Sequence, residues 1–237
     1  MINPSGAGRA FEQKLGKLLE DEIHRVIQAC LYGTDFNFIP KGKLADLNGK
    51  LCQHDGLIVD PEGKPYAVIE SKIIQKAKHA TEKASKPARE HPDLKRAHPT
   101  LRSSIVILAG DFTPEPLRMV ESSGANLLFV PQAHIVSVCR NYGIEILWSD
   151  EEAANYAVNA LETYQKLSQE QLRELGNKLL EPVAIQLETM VQEAIANIPE
   201  NPVIGVWVDI FWQRGEIWHR EFDDIQEALD YLHSWDQ

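Results

Sequence analysis

The sequence predicts an α/β fold: a central mixed β-sheet flanked by helices, with a helical and small α+β C-terminal extension. Three observations carry this. Short runs rich in Val and Ile, bounded by Gly and Pro, recur at 51–60, 67–74, 104–110 and 126–131 and read as strands with buried faces. A helical segment separates the last two, as in a β-α-β unit with a parallel pair. An amphipathic helical pattern precedes the first strand.

In order, a Gly-containing arm leads into a helix ending near Cys30, with Ala10, Phe11, Leu15, Leu18, Leu19, Ile23, Val26 and Ile27 at three- and four-residue spacing. Glu20, Asp21 and Glu22 read as its solvated face. Residues 36–40 form a short first strand, and 41–50 a polar loop. Pro61-Glu62-Gly63-Lys64-Pro65 is turn chemistry, so the runs on either side pair as a hairpin. Pro87, Pro92 and Pro99 divide the next region into short helical pieces and loops. After the strand at 104–110, Thr113 caps a helix with Pro114 in its first position. A strand at 126–131 and a helix from 132 to about 142 follow. Amphipathic helices at 153–167 and 169–198, the second broken near Pro182, precede a linker at 199–202, a hairpin turning at 213–215 and a last helix.

The composition is that of a globular protein, 43% hydrophobic and 25% charged over 237 residues. No apolar run is long enough to span a bilayer, and the start lacks a secretory pattern. Three distant cysteines fit neither a disulfide framework nor a zinc site. A cytoplasmic protein is expected. The net charge of −11 is unevenly spread, because residues 150–237 hold 18 Asp/Glu against 5 Lys/Arg. The chain therefore divides into an α/β core at 1–149 and an acidic region at 150–237, helical and ending in a β-hairpin and helix, which could serve a protein partner or dimerisation.

The hairpin carries the chemistry. Strand side chains alternate, so Glu70 and Lys72 leave one face of an apolar strand while Ser71 and Ile73 leave the other. Burying such charges is costly without a compensating partner or metal. If the register sets Asp55 beside Glu70, two carboxylates and a lysine converge. By the same alternation His54 falls on the opposite face from Asp55 and reads as structural. Asp111 reads as turn and cap chemistry, and Trp207, Trp212, Trp218 and Trp235 as a small core or a protein interface. The stretch after Lys72 is the most basic, with Lys76, Lys78, Lys83, Lys86, Arg89, Lys95 and Arg96 as candidates to track a phosphate backbone.

His54-Asp55-Gly56 on one strand and Glu70-Ser71-Lys72 on the next, with Gly8-Arg9-Ala10-Phe11-Glu12 on a preceding helix, resemble the PD-(D/E)XK nuclease superfamily, of restriction-endonuclease-like fold, and its Holliday-junction-resolvase-like branch. The likeness covers roughly residues 5–148. His54 stands where the family motif has a proline. The resemblance implies a Mg²⁺-dependent endonuclease acting on DNA, with Mn²⁺ able to substitute. Asp55, Glu70 and the Ser71 carbonyl would hold the metal, Lys72 would act on the attacking water or the transition state, and Glu12 would complete the site. It also implies a homodimer, since cutting both strands needs two sites. The competing expectations are a junction-selective nuclease, favoured by Glu12, a DNA-binding protein that keeps the fold without catalysis, and a protein–protein module dominated by the acidic region.

Overall fold

The computed structural model describes residues 4–75, 79–146, 153–196, 206–211, 217–222 and 225–234. They fall into two compact units, Met1–Ile195 and Ala196–Gln237. The first unit opens with α1 (Pro4–Leu31). Ala7, Phe11, Leu15, Leu19, Ile23, Ile27 and Leu31 recur every four residues along it, and all are buried. The segment expected as a flexible arm is already helical. Gly16 lets α1 lie close to the sheet, since a Cβ there would come within 2.9 Å of Ile73 Cγ2.

Next come β1 (Asn37–Pro40), β2 (Lys43–Ala45), β3 (Leu51–Gln53), β4 (Gly56–Val59) and β5 (Pro65–Ile74). The loop expected at 41–50 thus contains half of a small hairpin, β2 with β3. The run at 51–60 is two strands, interrupted at His54 and Asp55. Then follow α2 (Ala80–Ala97), β6 (Ser103–Gly110), α3 (Pro114–Ser122), β7 (Asn126–Pro131) and α4 (Gln132–Arg140).

The main sheet has the order β1-β4-β5-β6-β7. β1, β4 and β5 pair antiparallel, whereas β5, β6 and β7 run parallel. It is the mixed sheet the sequence predicts, and it is flanked by helices. Alternation sorts its two faces. Ala67, Ile69, Ile105, Ile107, Leu128 and Val130 face a core shared with α1, whereas Val68, Ile74, Val106 and Leu108 belong to clusters that include residues of α2.

One helical expectation fails outright. Pro87 and Pro92 lie inside α2, which runs unbroken for 18 residues. A proline in a helix interior removes a hydrogen bond and costs about 3 kcal/mol. The buried stripe Ala80, Ala84, Pro87, His91 and Leu94 offsets that cost, with Pro87 itself part of the packing. Thr113 stands at the N-cap of α3 as expected, with Pro114 behind it, but its hydroxyl makes no capping bond.

Beyond α4 come α5 (Ala153–Lys166), α6 (Gln169–Leu180) and α7 (Ala184–Ile195). Their inner faces, among them Leu161, Leu175, Leu179, Leu187 and Val191, belong to the same core as α1 and the sheet. The first unit therefore runs on past residue 149, where the charge changes, to Ile195. Acidic residues mark the outer face of these helices and say nothing of the inner one. Ser168 starts α6 with a reciprocal capping box to Gln171.

In the second unit β8 (Val206–Phe211) and β9 (Ile217–Phe222) form the expected hairpin strands, followed by α8 (Ile225–His233). Phe222 and Tyr231 pack with ring centroids 5.2 Å apart. Trp207 and Trp218 are at least half exposed, so neither fills a core. Trp212, Trp235, the linker at 199–202 and the turn at 213–215 lie outside the described residues, as do Lys76 and Lys78.

Candidate active site

β5 carries two charges into an apolar layer. Glu70 and Lys72 alternate with Ile69 and Ile73, and so share the α2 side of the sheet with Val68 and Ile74. The neighbouring strand supplies the third group. β4 pairs Gly56 with Ile69, and one further step along both strands sets Asp55 opposite Glu70. β4 ends there, which frees the Asp55 carboxylate to turn across the end of the strand. Asp55 Oδ2 accepts hydrogen bonds from the Ser71 backbone N–H at 2.8 Å and the Ser71 hydroxyl at 3.2 Å.

Lys72 ties the group together. Its Nζ lies 2.5 Å from Glu70 Oε1 and 3.4 Å from Asp55 Oδ2, and it donates to the Ser71 carbonyl at 3.0 Å. Three oxygens from two strands thus converge on one cation. Glu70 is only 3% exposed. Burial pushes its carboxyl up, but His54, the Lys72 ammonium and the more distant Lys86 outweigh this and hold it down at about 2. For Asp55 burial also raises the carboxyl and Glu70 adds to it, yet Lys72, Lys41 and the Ser71 N–H bring it below its usual range. Both acids are held ionised.

The site extends toward α1 through two residues the sequence reading missed. Lys41 Nζ donates to Asp55 Oδ1 and to Glu20 Oε2, each at 2.8 Å. Lys41 has φ of 54°, a left-handed conformation that costs a non-glycine residue about 1–2 kcal/mol. Its backbone N–H donates to the Asp55 carbonyl at 3.0 Å. Backbone and side chain of Lys41 thus both hold Asp55. No sequence signal marks such a lysine, because its residue type does not favour that conformation. Glu20 was legible: it lies one turn beyond Gly16, the residue that brings α1 against β5.

Glu20 and Glu22 do not form a solvated face. The Glu20 side chain is 12% exposed, and Glu22 is buried and paired with Arg25. Glu20, Asp21 and His24 offer ligand atoms within 4.8 Å of one another. Lys17 contacts both acids, at 3.2 and 2.8 Å, and Lys41 contacts Glu20, so cations of the chain already offset this charge. Glu12 makes no hydrogen bond or ion pair with Asp55, Glu70 or Lys72; it lies two turns before Glu20, about 12 Å along the helix axis.

His54 lies on the Glu70 side of the sheet, contrary to the alternation argument. Its Nδ1 is 3.7 Å from Glu70 Oε2, an ion-pair distance beyond hydrogen-bond reach. Alternation does not apply because His54 and Asp55 lie between β3 and β4 rather than within a strand. Behind it His91 of α2 meets Ser104 Oγ through Nδ1, and burial lowers the His91 imidazole to about 4. Glu70 Oε2, both His54 ring nitrogens and His91 Nε2 are buried with no hydrogen-bond partner among the described residues.

The basic candidates on α2 do not form one surface. Lys86 Nζ reaches to 3.7 Å from Glu70 Oε1 and 3.8 Å from Glu90. Lys83 lies one turn earlier and is exposed. Lys95 donates to the Gly124 carbonyl, Arg89 to the Ser85 carbonyl, and Arg96 pairs with Asp93. At 100° per residue, Lys95 points about 120° from Lys83 and about 180° from Lys86. Asp111 donates its backbone N–H to the Ile74 carbonyl at 3.3 Å.

The donor set bears on a divalent cation. Asp55 Oδ2, Glu70 Oε1 and the Ser71 carbonyl are hard oxygen donors around one point, and Glu70 Oε2 is a further buried oxygen without a hydrogen-bond partner among the described residues. Such donors fit Mg²⁺ or Mn²⁺. Lys72 holds the point they share.

No protein-family model and no curated protein matches the chain. Among solved structures it is similar to the crystal structure of a protein of unknown function, AF1548, at 16% identity over 76% of this chain and 100% of that one, with a TM-score of 0.34. Among the described residues no helix is long and apolar enough to cross a membrane.

Proposed function

We propose that the protein is a Mg²⁺-dependent endonuclease that hydrolyses phosphodiester bonds in DNA, built on the PD-(D/E)XK pattern its strands resemble. The observation that carries this reading is the convergence of Asp55 Oδ2, Glu70 Oε1 and the Ser71 carbonyl on the Lys72 ammonium. Two ionised carboxylates and a carbonyl around one point make a site for a hard cation. The lysine beside it supplies a positive charge where a phosphoryl group would develop negative charge.

Asp55, Glu70 and the Ser71 carbonyl would hold the metal. When bound, it offsets charge on the scissile phosphate and lowers the pKa of a water. The chain's own residues do the rest. Lys41 and the Ser71 N–H fix the Asp55 carboxylate, a backbone and a side-chain donor on different oxygens. Lys72 gives up its carboxylate contacts and turns its Nζ toward the attacking water or a phosphoryl oxygen. His54 and His91 wall off the inner side of Glu70 from solvent. Glu20, which reaches Asp55 through Lys41, takes the role expected of Glu12 as the acid contributed by α1.

A homodimer would present two such sites to the two strands. The reading is tested by incubating supercoiled plasmid with the protein in Mg²⁺ or Mn²⁺, with EDTA in a parallel arm. Cutting that needs the metal and is lost in Asp55→Asn, Glu70→Gln and Lys72→Ala is expected. Retention of DNA with no metal-dependent cutting would make the protein a binding module instead. Product mapping on linear against four-way branched DNA separates a general endonuclease from a junction-selective one.

A further inference from the structure

We infer that a second, cationic cleft beside the site, between α1 and α6, holds the phosphodiester backbone of the DNA. The inference deepens the proposed function and rests on it for the identity of the ligand. The cleft has a volume of about 640 Å³ and is lined by Lys14, Lys17, Asp21 and Arg25 of α1 and by Leu172 and Arg173 of α6. Four cations against one acid stand out on a chain of net charge −11. These residues are scattered through the sequence, so no basic run announces them.

Two of the cations are uncommitted. Neither Lys14 nor Arg173 makes a side-chain hydrogen bond or ion pair among the described residues; burial raises the Glu22 carboxyl, and Arg173, behind Arg25, only partly opposes that. Most of the basic residues of α2, by contrast, are bound to carbonyls or acids of their own chain. The first turn of α6 also lines the cleft through Gln169, and the N-terminal end of a helix favours an anion.

A chain of side-chain contacts links the cleft to the site. Lys17 on its border contacts Glu20, Glu20 contacts Lys41, and Lys41 contacts Asp55. A ligand that reaches from Asp55 to Arg173 must therefore be an extended chain of anions rather than one phosphate. Its charge must repeat, because the cations are spread along α1 from Lys14 to Arg25 and across to Arg173 of α6. A nucleic-acid backbone has that form.

The test is fluorescence anisotropy of a labelled DNA duplex with the full chain in EDTA, which separates binding from cutting, repeated over a range of salt. Lys14→Glu with Arg173→Glu is expected to weaken binding at least tenfold. It should also flatten the dependence of log K on log salt by about 1.8, as for two lost phosphate contacts. Arg118→Glu/Arg140→Glu, an equal change of charge on exposed residues of α3 and α4, serves as the comparison, with circular dichroism to check that each variant is folded. A folded cleft variant that binds as tightly as this comparison overturns the cleft and leaves the nuclease reading standing. A wild-type protein without affinity for DNA even at low salt overturns both. Cleft-dependent binding without metal-dependent cutting upholds the cleft and removes the catalytic reading alone.

Discussion

The two faces of β5 are made from alternate residues of one strand, yet they answer to opposite constraints. Toward α1, Ala67 and Ile69 are wholly buried among aliphatic side chains, and what matters there is volume. Toward α2, Glu70 sits at nearly the same depth, but it is kept there by charge: two lysines stand at 2.5 and 3.7 Å. A buried carboxylate costs several kcal/mol before its partners repay it. A fold that needed only stability would place an aliphatic residue at 70. The contrast separates the face that builds the protein from the face that spends stability on a site.

The largest effect that would sharpen this contrast comes from removing helices. The core on the α1 side includes residues of α5, α6 and α7, so a fragment of residues 1–195 is expected to melt cooperatively. A fragment of 1–149 is expected to lose its cooperative transition by circular dichroism, because Leu161, Leu175, Leu179, Leu187 and Val191 each contribute about 2 kcal/mol of burial. A cooperative melt of 1–149 would show that the face closes without them.

Substitutions on the two faces should then part company. Asp55→Asn and Glu70→Gln are expected to lower metal-dependent cleavage by about a thousandfold, the upper end of what losing one group that stabilises transition-state charge costs. Ile69→Ala, one residue away, is expected to lower stability in urea by about 3 kcal/mol through the cavity it leaves. Its cleavage rate per folded molecule should change little. Ile69→Ala losing cleavage to the same degree, at a temperature where it is folded, would mean that the two faces are not separable.

Acid should act strongly on the charged face. Glu70 is held down at about 2 and His91 at about 4. Each group binds fewer protons folded than unfolded, so its contribution is complete at neutral pH and is lost on acidification. For His91 the loss runs from about pH 6.5 down through 4, and for Glu70 from about 4.5 down through 2, each amounting to about 3 kcal/mol. Urea midpoints measured from pH 7 to 4 should fall, and His91→Gln should flatten that first limb.

How much of this was legible follows the same division. The strands were legible because apolar runs between Gly and Pro are a local signal, and the Asp55–Glu70–Lys72 convergence was legible because alternation and one hairpin register fix it. Lys41 was not, since its role depends on a left-handed backbone that lysine does not favour. His54 was misplaced by applying strand alternation across an interruption between β3 and β4. The unbroken α2 went against Pro87 and Pro92 because packing of a buried stripe outweighs local propensity. The extent of the first unit was obscured by charge, a property of the outer surface only.

The smallest expected effect concerns the residue that joins the charged face to α1. Lys41→Gly and Lys41→Ala both remove the ammonium that bridges Asp55 and Glu20, so both should lose cleavage equally, by about tenfold, as Asp55 loses one of its fixed donors. Their stabilities should differ. Glycine adopts a φ of 54° without penalty, whereas alanine pays the same steric cost as lysine. Lys41→Gly is therefore expected to be more stable than Lys41→Ala by about 1 kcal/mol, less a few tenths for the greater freedom of glycine in the unfolded chain. Equal melting temperatures would show that the loop relaxes once the ammonium is gone. In that case the left-handed turn is held by the ion pairs of Lys41 rather than by the hydrogen bond from its backbone N–H to the Asp55 carbonyl.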